Sequence, residues 1–273
     1  MSGKIIGIFD SGIGGVSVLR AIRNELPQTE ILYLADQARV PYGSRTLEEV
    51  RSFSESITHH LLAQGAGLIV VACNTASAAA LHSLRQSFPG IPFVGMEPAV
   101  KPAAEQTQTG VVGVLATPAT FQGALYSSVV ERFATGVILL PHTCPGLVKQ
   151  IEAGDLDGPH TRQILEEALI PMLSQGIDTI VLGCTHYPFV IPLIQSIAGA
   201  SVRVIDPAPA VARQVRRVFE SRDWSVSISE TAFGSRQQVR YQTTGAPQAF
   251  AQLLHRLTHE VQPVEQIILD DLE

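Results

Sequence analysis

Two segments that end in a cysteine, GLIVVACNTAS (residues 67–77) and DTIVLGCTHYP (residues 178–188), decide the fold class of this chain. Each begins with an apolar run, which is typical of a strand buried on both faces of a parallel sheet. Each ends in a thiol followed by small hydrogen-bonding residues. A lone cysteine at such a place is most often an apolar core residue. Two matched cysteines, in a chain with only three, indicate a shared role.

Short apolar runs alternate with helical patterns over almost the whole chain, which predicts a parallel α/β fold. The predicted strands are KIIGIF (4–9), EILYLA (30–35), GLIVVA (67–72), PFVGM (92–96), GVVGVLA (110–116), GVILLP (136–141), DTIVLG (178–183) and VRVID (202–206). Thr46 and Glu49 form a capping-box pattern, which predicts a helix from Thr46 to Leu62. A second helix is predicted over residues 160–174. The tail YQTTGAPQAFAQLL (241–254) should fold back as a strand, a turn and a helix.

Internal matches suggest two similar halves. GIFDSG (7–12) and GVLATP (113–118) are each a strand followed by a polar turn and a helix, and the two cysteine segments form a second pair. Any α/β protein repeats its strand–helix unit, so the matches fit a duplication or simple repetition of that unit. Proline-containing crossings predict a first α/β domain of residues 1–97 plus 210–273 and a second of residues 98–209.

Composition excludes several classes of function. The formal net charge is −6 with no basic run, so nucleic acid and anionic membranes are poor partners. No segment has the roughly 20 apolar residues of a membrane span, and the N-terminus lacks a signal-peptide pattern. The three cysteines include no CxxC pair, which favours free thiols in a reducing cytoplasm over disulfides or structural zinc.

Polar groups follow several predicted strands, where the carboxyl ends of parallel strands meet at a crevice. These groups are Asp10-Ser11, Pro41-Tyr42-Gly43-Ser44, Cys73-Asn74-Thr75 and Cys184-Thr185-His186. The glycine-rich DSGIGG segment (10–15) lacks the GK[ST] ending of a phosphate loop and the GxGxxG spacing, so a nucleotide site is not expected. It fits a tight turn, and a carboxylate could still bind at the following helix N-terminus.

Two thiols at one crevice allow two kinds of chemistry. One cysteine could be a nucleophile with histidine as its base, as in a hydrolase or transferase. Alternatively, both cysteines move protons, one on each face of a carbon. Inversion of a stereocentre by deprotonation needs a base on one side and an acid on the other, so only the second scheme requires a matched pair. Asp10 and His186 are the groups that could tune the two thiols.

Pyridoxal phosphate, the usual cofactor of amino-acid racemisation, needs a Schiff-base lysine. The chain has three lysines: Lys4 precedes the first strand, and Lys101 and Lys149 fall in predicted helices. Their placement argues against this cofactor.

The segments FDSGIGG (9–15), PYG (41–43), ACNTAS (72–77) and GCTHYP (183–188) resemble the signature blocks of bacterial glutamate racemases, in the cofactor-independent aspartate/glutamate racemase superfamily. The similarity runs from about residue 5 to residue 257. It implies two α/β domains related by a pseudo-twofold axis, with the active site between them. It also implies racemisation of L- and D-glutamate without a cofactor or a metal.

The resemblance implies that Cys73 and Cys184 are the two acid/base residues. Asp10 would assist Cys73. His186, with Glu152 of KQIEAG (149–154), would assist Cys184. The implied substrate-binding residues are Asp10, Ser11, Tyr42, Gly43, Asn74, Thr75, Thr185 and His186.

Two residues fall outside this pattern. ADQARVPYG (35–43) has Gln37 where the family pattern commonly has threonine, so Gln37 is not expected to bind substrate. Cys144, in HTCPG (142–146), has no partner cysteine and is predicted to be structural.

The resemblance further implies a homodimer in the bacterial cytoplasm that makes D-glutamate for peptidoglycan. Racemases for aspartate or hydantoins on the same fold remain alternatives. A module that binds an amino acid without converting it is an alternative from a different class, although binding alone needs no thiol on each face.

Overall fold

A computed structural model describes residues 5–222, 224 and 239–269 of the chain. All eight predicted strands are present within this part, apart from Lys4, which lies outside the described residues. The strands are β1 (Ile5–Asp10), β2 (Ile31–Ala35), β3 (Ala66–Val71), β4 (Phe93–Gly95), β5 (Val111–Ala116), β6 (Ile138–His142), β7 (Thr179–Gly183), β8 (Arg203–Ile205), β9 (Val239–Thr243) and β10 (Val264–Gln266).

Helices connect these strands. They are α1 (Val16–Glu25), α2 (Leu47–Ala63), α3 (Asn74–Ser87), α4 (Val100–Gln106), α5 (Pro118–Gln122), α6 (Ala124–Phe133), α7 (Leu147–Glu152), α8 (Pro159–Ser174), α9 (Ile191–Ala198), α10 (Ala208–Glu220) and α11 (Pro247–Thr258), with 3₁₀ turns at Tyr42–Ser44 and Tyr187–Val190. Both predicted helices, α2 and α8, are confirmed. The capping box of α2 is complete, because the Thr46 hydroxyl accepts from the Glu49 N–H and the Glu49 carboxylate accepts from the Thr46 N–H.

The strands form two parallel sheets, which confirms the predicted fold class. The larger sheet has the order β10-β9-β2-β1-β3-β4, and the smaller has the order β6-β5-β7-β8. The last four strands of the larger sheet follow the same sequence of connections as the smaller sheet. This shared order matches β1 with β5 and β3 with β7, the same pairs that the internal sequence matches linked. Cys73 and Cys184 therefore follow equivalent strands.

The central strands of both sheets are buried on both faces, as is typical of parallel sheets. Successive side chains of a strand point to opposite faces. In β1, Ile6 and Ile8 pack into one apolar cluster of the larger sheet while Phe9 packs into the other. In the smaller sheet, Leu182 and Val181 of β7 separate in the same way. The near-continuous apolar runs in the sequence are the result of this double coverage.

The C-terminal segment completes the larger sheet. As predicted, it forms a strand, a turn and a helix: β9 pairs with β2, and α11 follows. The short strand β10 was not predicted, because its three residues VEQ are partly or fully exposed and show no apolar alternation. The domain boundaries at 97/98 and 209/210 stay a prediction, and the second of them falls in the first turn of α10.

Within the described ranges, no helix combines the length and the apolar content that a bilayer crossing requires.

The capping box gives a direct test of how α2 is held. Thr46→Ala removes the hydroxyl that accepts from the Glu49 N–H, so it should lower the free energy of unfolding by about 1 kcal/mol. Thr46→Ser keeps an acceptor at the same place and should change it little. Urea denaturation of the three proteins measures the difference. Equal stability of the alanine and serine variants would contradict the assigned cap.

Candidate active site

A narrow cavity lies where the strand ends of the two sheets face each other. It is lined by Ser11, Pro41, Tyr42, Gly43, Cys73, Asn74, Thr75, Thr117, Val148, Cys184, Thr185 and His186. The free space in it is about 10 Å³, room for about one water molecule and far below the roughly 300–1,000 Å³ of sites for drug-sized ligands. Both matched cysteines line it, and both side chains are buried.

Cys73 occupies the N-cap of α3. Its sulfur accepts from the Ala76 N–H at 3.5 Å and from the backbone N–H of Ser11. Burial raises the pKa of the Cys73 thiol well above its ordinary value, and the negative charge of Asp10 raises it further. The N–H groups at the helix end oppose this shift because they stabilise a thiolate. Cys73 therefore holds its proton while the site is closed.

Asp10 ends β1 and is fully buried. One carboxylate oxygen accepts from the Ser11 hydroxyl and the Gly12 N–H, at 3.1 and 2.8 Å. The other accepts from the Thr185 hydroxyl at 2.7 Å, which ties the end of β1 to the loop after β7 in the other sheet. Burial raises the pKa of Asp10, although the charge of His186 and these hydrogen bonds act in the opposite direction.

Cys184 is the first member of a line of three groups. Its sulfur lies 3.8 Å from Nδ1 of His186, and Nε2 of the same ring lies 2.6 Å from Oε1 of Glu152. The two ring nitrogens therefore face the thiol on one side and a carboxylate on the other. The two contacts fix the orientation of the imidazole ring. Through this ring, the charge of Glu152 can influence the Cys184 sulfur.

The histidine and the carboxylate of this line form an ion pair. Burial by itself would lower the pKa of His186, but its hydrogen bonds to Cys184 and Glu152 raise it well above the ordinary value. Burial would raise the pKa of Glu152, but the hydrogen bond and charge of His186 hold it below the ordinary value. We therefore assign an imidazolium facing a carboxylate.

The far side of Glu152 is held by the other half of the molecule. Its Oε1 accepts from the backbone N–H of Ile13 at 2.9 Å, and its Oε2 accepts from the side-chain amide of Gln37 at 2.8 Å. Glu152 is the last residue of α7, beside the smaller sheet, whereas Ile13 and Gln37 follow β1 and β2 of the larger one. Sequence reasoning did not anticipate this contact of Gln37.

The glycine-rich segment after β1 is a packing surface for these groups. A Cβ on Gly12 would lie 2.0 Å from Oε1 of Glu152, and one on Gly14 would lie 2.5 Å from Nδ1 of His186. Neither distance is compatible with a side chain. The glycines thus allow the backbone of one half to approach the ion pair of the other, which neither a phosphate loop nor a tight turn would explain.

Asn74 carries the clearest sign of a ligand. Its side chain is 2% exposed and lines the cavity, yet neither its amide nitrogen nor its oxygen has a hydrogen-bond partner among the described residues. Buried polar side chains are almost always paired, so this orphan group is expected to bind a polar substrate group. It also begins α3, whose N-terminal N–H groups favour an anion.

Thr117 is a cavity residue that the sequence analysis missed. Its hydroxyl is hydrogen-bonded to the hydroxyls of Thr75 and Thr120, at 2.8 and 2.9 Å, and the three form a buried chain. It follows β5 as Ser11 follows β1, so the internal match of GVLATP with GIFDSG contained the signal.

The predicted site residues divide into two groups. Those that line the cavity are Ser11, Tyr42, Gly43, Asn74, Thr75, Thr185, His186 and the two matched cysteines. Asp10 and Glu152 lie behind this lining and act on it through hydrogen bonds. Cys144 is buried near Cys184 but does not line the cavity, and burial raises its pKa to about 12.

The close packing at Gly12 can be tested by stability. Gly12→Ala forces a methyl group against Glu152, and overpacking of this kind should lower the free energy of unfolding by about 1–3 kcal/mol. Gly90→Ala is the matched control, because a Cβ there meets nothing within 4 Å. Urea denaturation should separate the two variants. A Gly12→Ala protein as stable as Gly90→Ala would contradict the packing.

Comparison with known proteins places the chain in a family. A profile of the Asp/Glu/Hydantoin racemase family matches residues 6–215. A glutamate racemase of Roseiflexus sp. is 52% identical over 268 residues, which cover 98% of this chain and 97% of the relative. One from Pseudomonas aeruginosa is 47% identical over 264 residues, covering 97% of each chain.

Solved structures agree. Glutamate racemase RacE1 of Bacillus anthracis superposes with a TM-score of 0.84 at 31% identity, covering 97% of this chain and 98% of the other. The Thermus thermophilus glutamate racemase, in complex with β-chloro-D-alanine, has a TM-score of 0.81 at 35% identity and covers 99% of each chain. With most of its length matched by the family profile and by such relatives, the chain belongs to the Asp/Glu/Hydantoin racemase family and is a racemase.

Proposed function

We propose that this protein interconverts L- and D-glutamate by transferring protons through Cys73 and Cys184, with no cofactor. The observation that carries the proposal is that the two thiols follow equivalent strands of two similar sheets and line one small cavity. A reaction with a single nucleophilic cysteine would require only one of the two thiols. Binding without conversion would require neither.

The reaction needs one base and one acid on opposite faces of the α-carbon. With L-glutamate, the Cys184 thiolate removes the α-proton, and the electron pair of the C–H bond stays on the α-carbon. The Cys73 thiol then donates its proton to the other face, giving D-glutamate. The first sulfur is now a thiol and the second a thiolate, so the same steps in reverse convert D-glutamate. The assignment of each thiol to one enantiomer follows from the family resemblance.

Different neighbours support each thiol. The imidazolium of His186, held by Glu152, presents a positive charge to Cys184. Cys73 has Asp10 beside it, and burial raises the pKa of both groups. A substrate ammonium group bound near Asp10 would offset that negative charge and so favour ionisation of Cys73. Binding of D-glutamate would therefore promote formation of the Cys73 thiolate that removes its α-proton.

Neutral donors would hold the carboxylates of the substrate. None of the described residues that line the cavity is lysine or arginine. The unpaired amide of Asn74, the hydroxyls of Ser11, Thr75 and Thr117, and the N-terminus of α3 supply the hydrogen bonds instead. Of the predicted ligands, Tyr42, Gly43 and Thr185 complete the wall.

Glutamate is favoured over aspartate or a hydantoin by the relatives. The most similar ones described above are glutamate racemases, and a Francisella tularensis glutamate racemase solved with D-glutamate matches this chain with a TM-score of 0.84 at 28% identity. We further propose, from the family resemblance, that the protein supplies D-glutamate for peptidoglycan in the bacterial cytoplasm and acts as a homodimer.

Racemisation in heavy water tests the reaction. The purified protein, without pyridoxal phosphate or metal, should bring L- or D-glutamate to an equal mixture, followed by polarimetry. Because each thiol serves one face, deuterium should enter mainly the product enantiomer during initial turnover. Aspartate should react much more slowly. Equal early labelling of substrate and product would point to a single base and contradict the two-thiol scheme.

Serine variants separate the two thiols. A hydroxyl is a far weaker acid than a thiol, so Cys73→Ser and Cys184→Ser should each lower racemisation by about 10²–10⁴-fold. Each variant keeps one base and should still eliminate chloride from β-chloroglutamate: the base takes the α-proton, chloride leaves, and the resulting enamine hydrolyses to 2-oxoglutarate and ammonia. Cys73→Ser should act on the L-enantiomer and Cys184→Ser on the D-enantiomer.

Cys144→Ser is the control, and it should keep most of the racemase activity. If both single variants eliminated from the same enantiomer, the thiols would not flank the α-carbon and the assignment would be wrong.

A further inference from the structure

We propose that Gln37 is a positioning residue for the Cys184 half of the reaction, because its side-chain amide holds Oε2 of Glu152 so that Oε1 stays on His186. The inference rests on the proposed two-thiol function and adds a residue to it. Gln37 does not line the cavity. It would act through two intervening groups, along the line Gln37, Glu152, His186, Cys184.

The hydrogen bonds of Glu152 show what Gln37 contributes to its position. Oε1 takes two donors, the Ile13 N–H and the His186 ring, whereas among the described residues only Gln37 donates to Oε2. The Glu152 side chain is 12% exposed, so water can replace little of a lost contact. A carboxylate held at one oxygen can rotate about its last bond. The hydrogen bond from the Gln37 side-chain amide to the second oxygen prevents that rotation and favours the charged form of Glu152.

The main chain around Gln37 is itself fixed. The Thr244 hydroxyl accepts from the Ala38 N–H at 3.0 Å and donates to the Asp36 carboxylate at 2.7 Å, so it clamps the residues on both sides of Gln37. Gly245 lies so close that a Cβ there would be 2.7 Å from Cβ of Gln37. The C-terminal turn thus supports the loop that carries Gln37. Threonine, common at this place in the family pattern, has no amide that could reach as far.

A half-reaction assay is needed, because racemisation with an equilibrium constant of one must lose kcat/KM equally in both directions. Gln37→Met keeps the length of the side chain and removes the donor. In the Cys73→Ser background it should slow elimination from L-β-chloroglutamate by roughly tenfold, as expected for a lost hydrogen bond to a buried charge. In the Cys184→Ser background, elimination from the D-enantiomer should stay within about twofold, since none of the hydrogen bonds of Glu152 to the described residues reaches Cys73 or Asp10.

Gln163→Met is the matched control: the Gln163 amide donates a hydrogen bond to the Glu167 carboxylate on the exposed surface of α8, and Gln163 does not line the cavity. It should change neither half-reaction. Equal slowing of both half-reactions by Gln37→Met would mean a general structural role and overturn the proposal. So would the absence of any effect.

A second readout is independent of turnover. Imidazole ¹⁵N NMR of the otherwise unchanged protein, with the His186 signals assigned from His186→Asn, reports the fraction of protonated His186 against pH. Gln37→Met should move the midpoint downward, because a loosened Glu152 stabilises the imidazolium less. An unchanged midpoint would overturn the proposal. If neither serine parent eliminates, the two-thiol function fails, and this titration alone decides the role of Gln37.

Discussion

Two carboxylates, one fully buried and one largely buried, bind donors of the opposite half of the molecule and hold the rest of the site together. Asp10, at the end of a strand in the larger sheet, accepts from Thr185 of the other half. Glu152, beside the smaller sheet, accepts from Ile13 and Gln37 of the first half. A buried charge is costly unless donors surround it. Here some of the donors belong to the opposite half, so the two halves must meet for either carboxylate to be satisfied.

The same crossings set the chemistry of the thiols. His186 stands between Glu152 and Cys184: the carboxylate stabilises the imidazolium, and the imidazolium presents its positive charge to the sulfur. Cys73 instead faces Asp10, which holds the thiol protonated, and the N-terminus of a helix, which opposes that effect. The protein thus has two similar strand ends with opposite charges beside their sulfurs. Such an asymmetry suits a pair in which one member begins as the base and the other as the acid.

The glycine-rich turn shows a contact of the site that local sequence patterns do not reveal. As letters, DSGIGG (10–15) fits a tight turn or a helix start, because both need glycine for local reasons. In the structure, Gly12 and Gly14 are required by side chains that lie far along the chain, Glu152 and His186. No local pattern encodes such an approach. Gln37 is a similar case. A polar residue after a strand can have many roles, and only the contact with Glu152 in the folded structure shows which role Gln37 has.

The sequence by itself determined the parallel α/β fold, nine of the ten strands in the described residues, the capped helix from Thr46 and the pair of thiols, because these depend on local periodicity and on the residues at strand ends. Only the tertiary structure decided which groups meet. It joined Glu152 to Gln37, left the Asn74 side chain without a hydrogen-bond partner among the described residues, and added Thr117 to the cavity wall. It also added β10, whose three partly or fully exposed residues show no apolar alternation. The physical reason is that hydrogen bonds between the halves depend on how two sheets face each other, which neighbouring residues along the chain do not record.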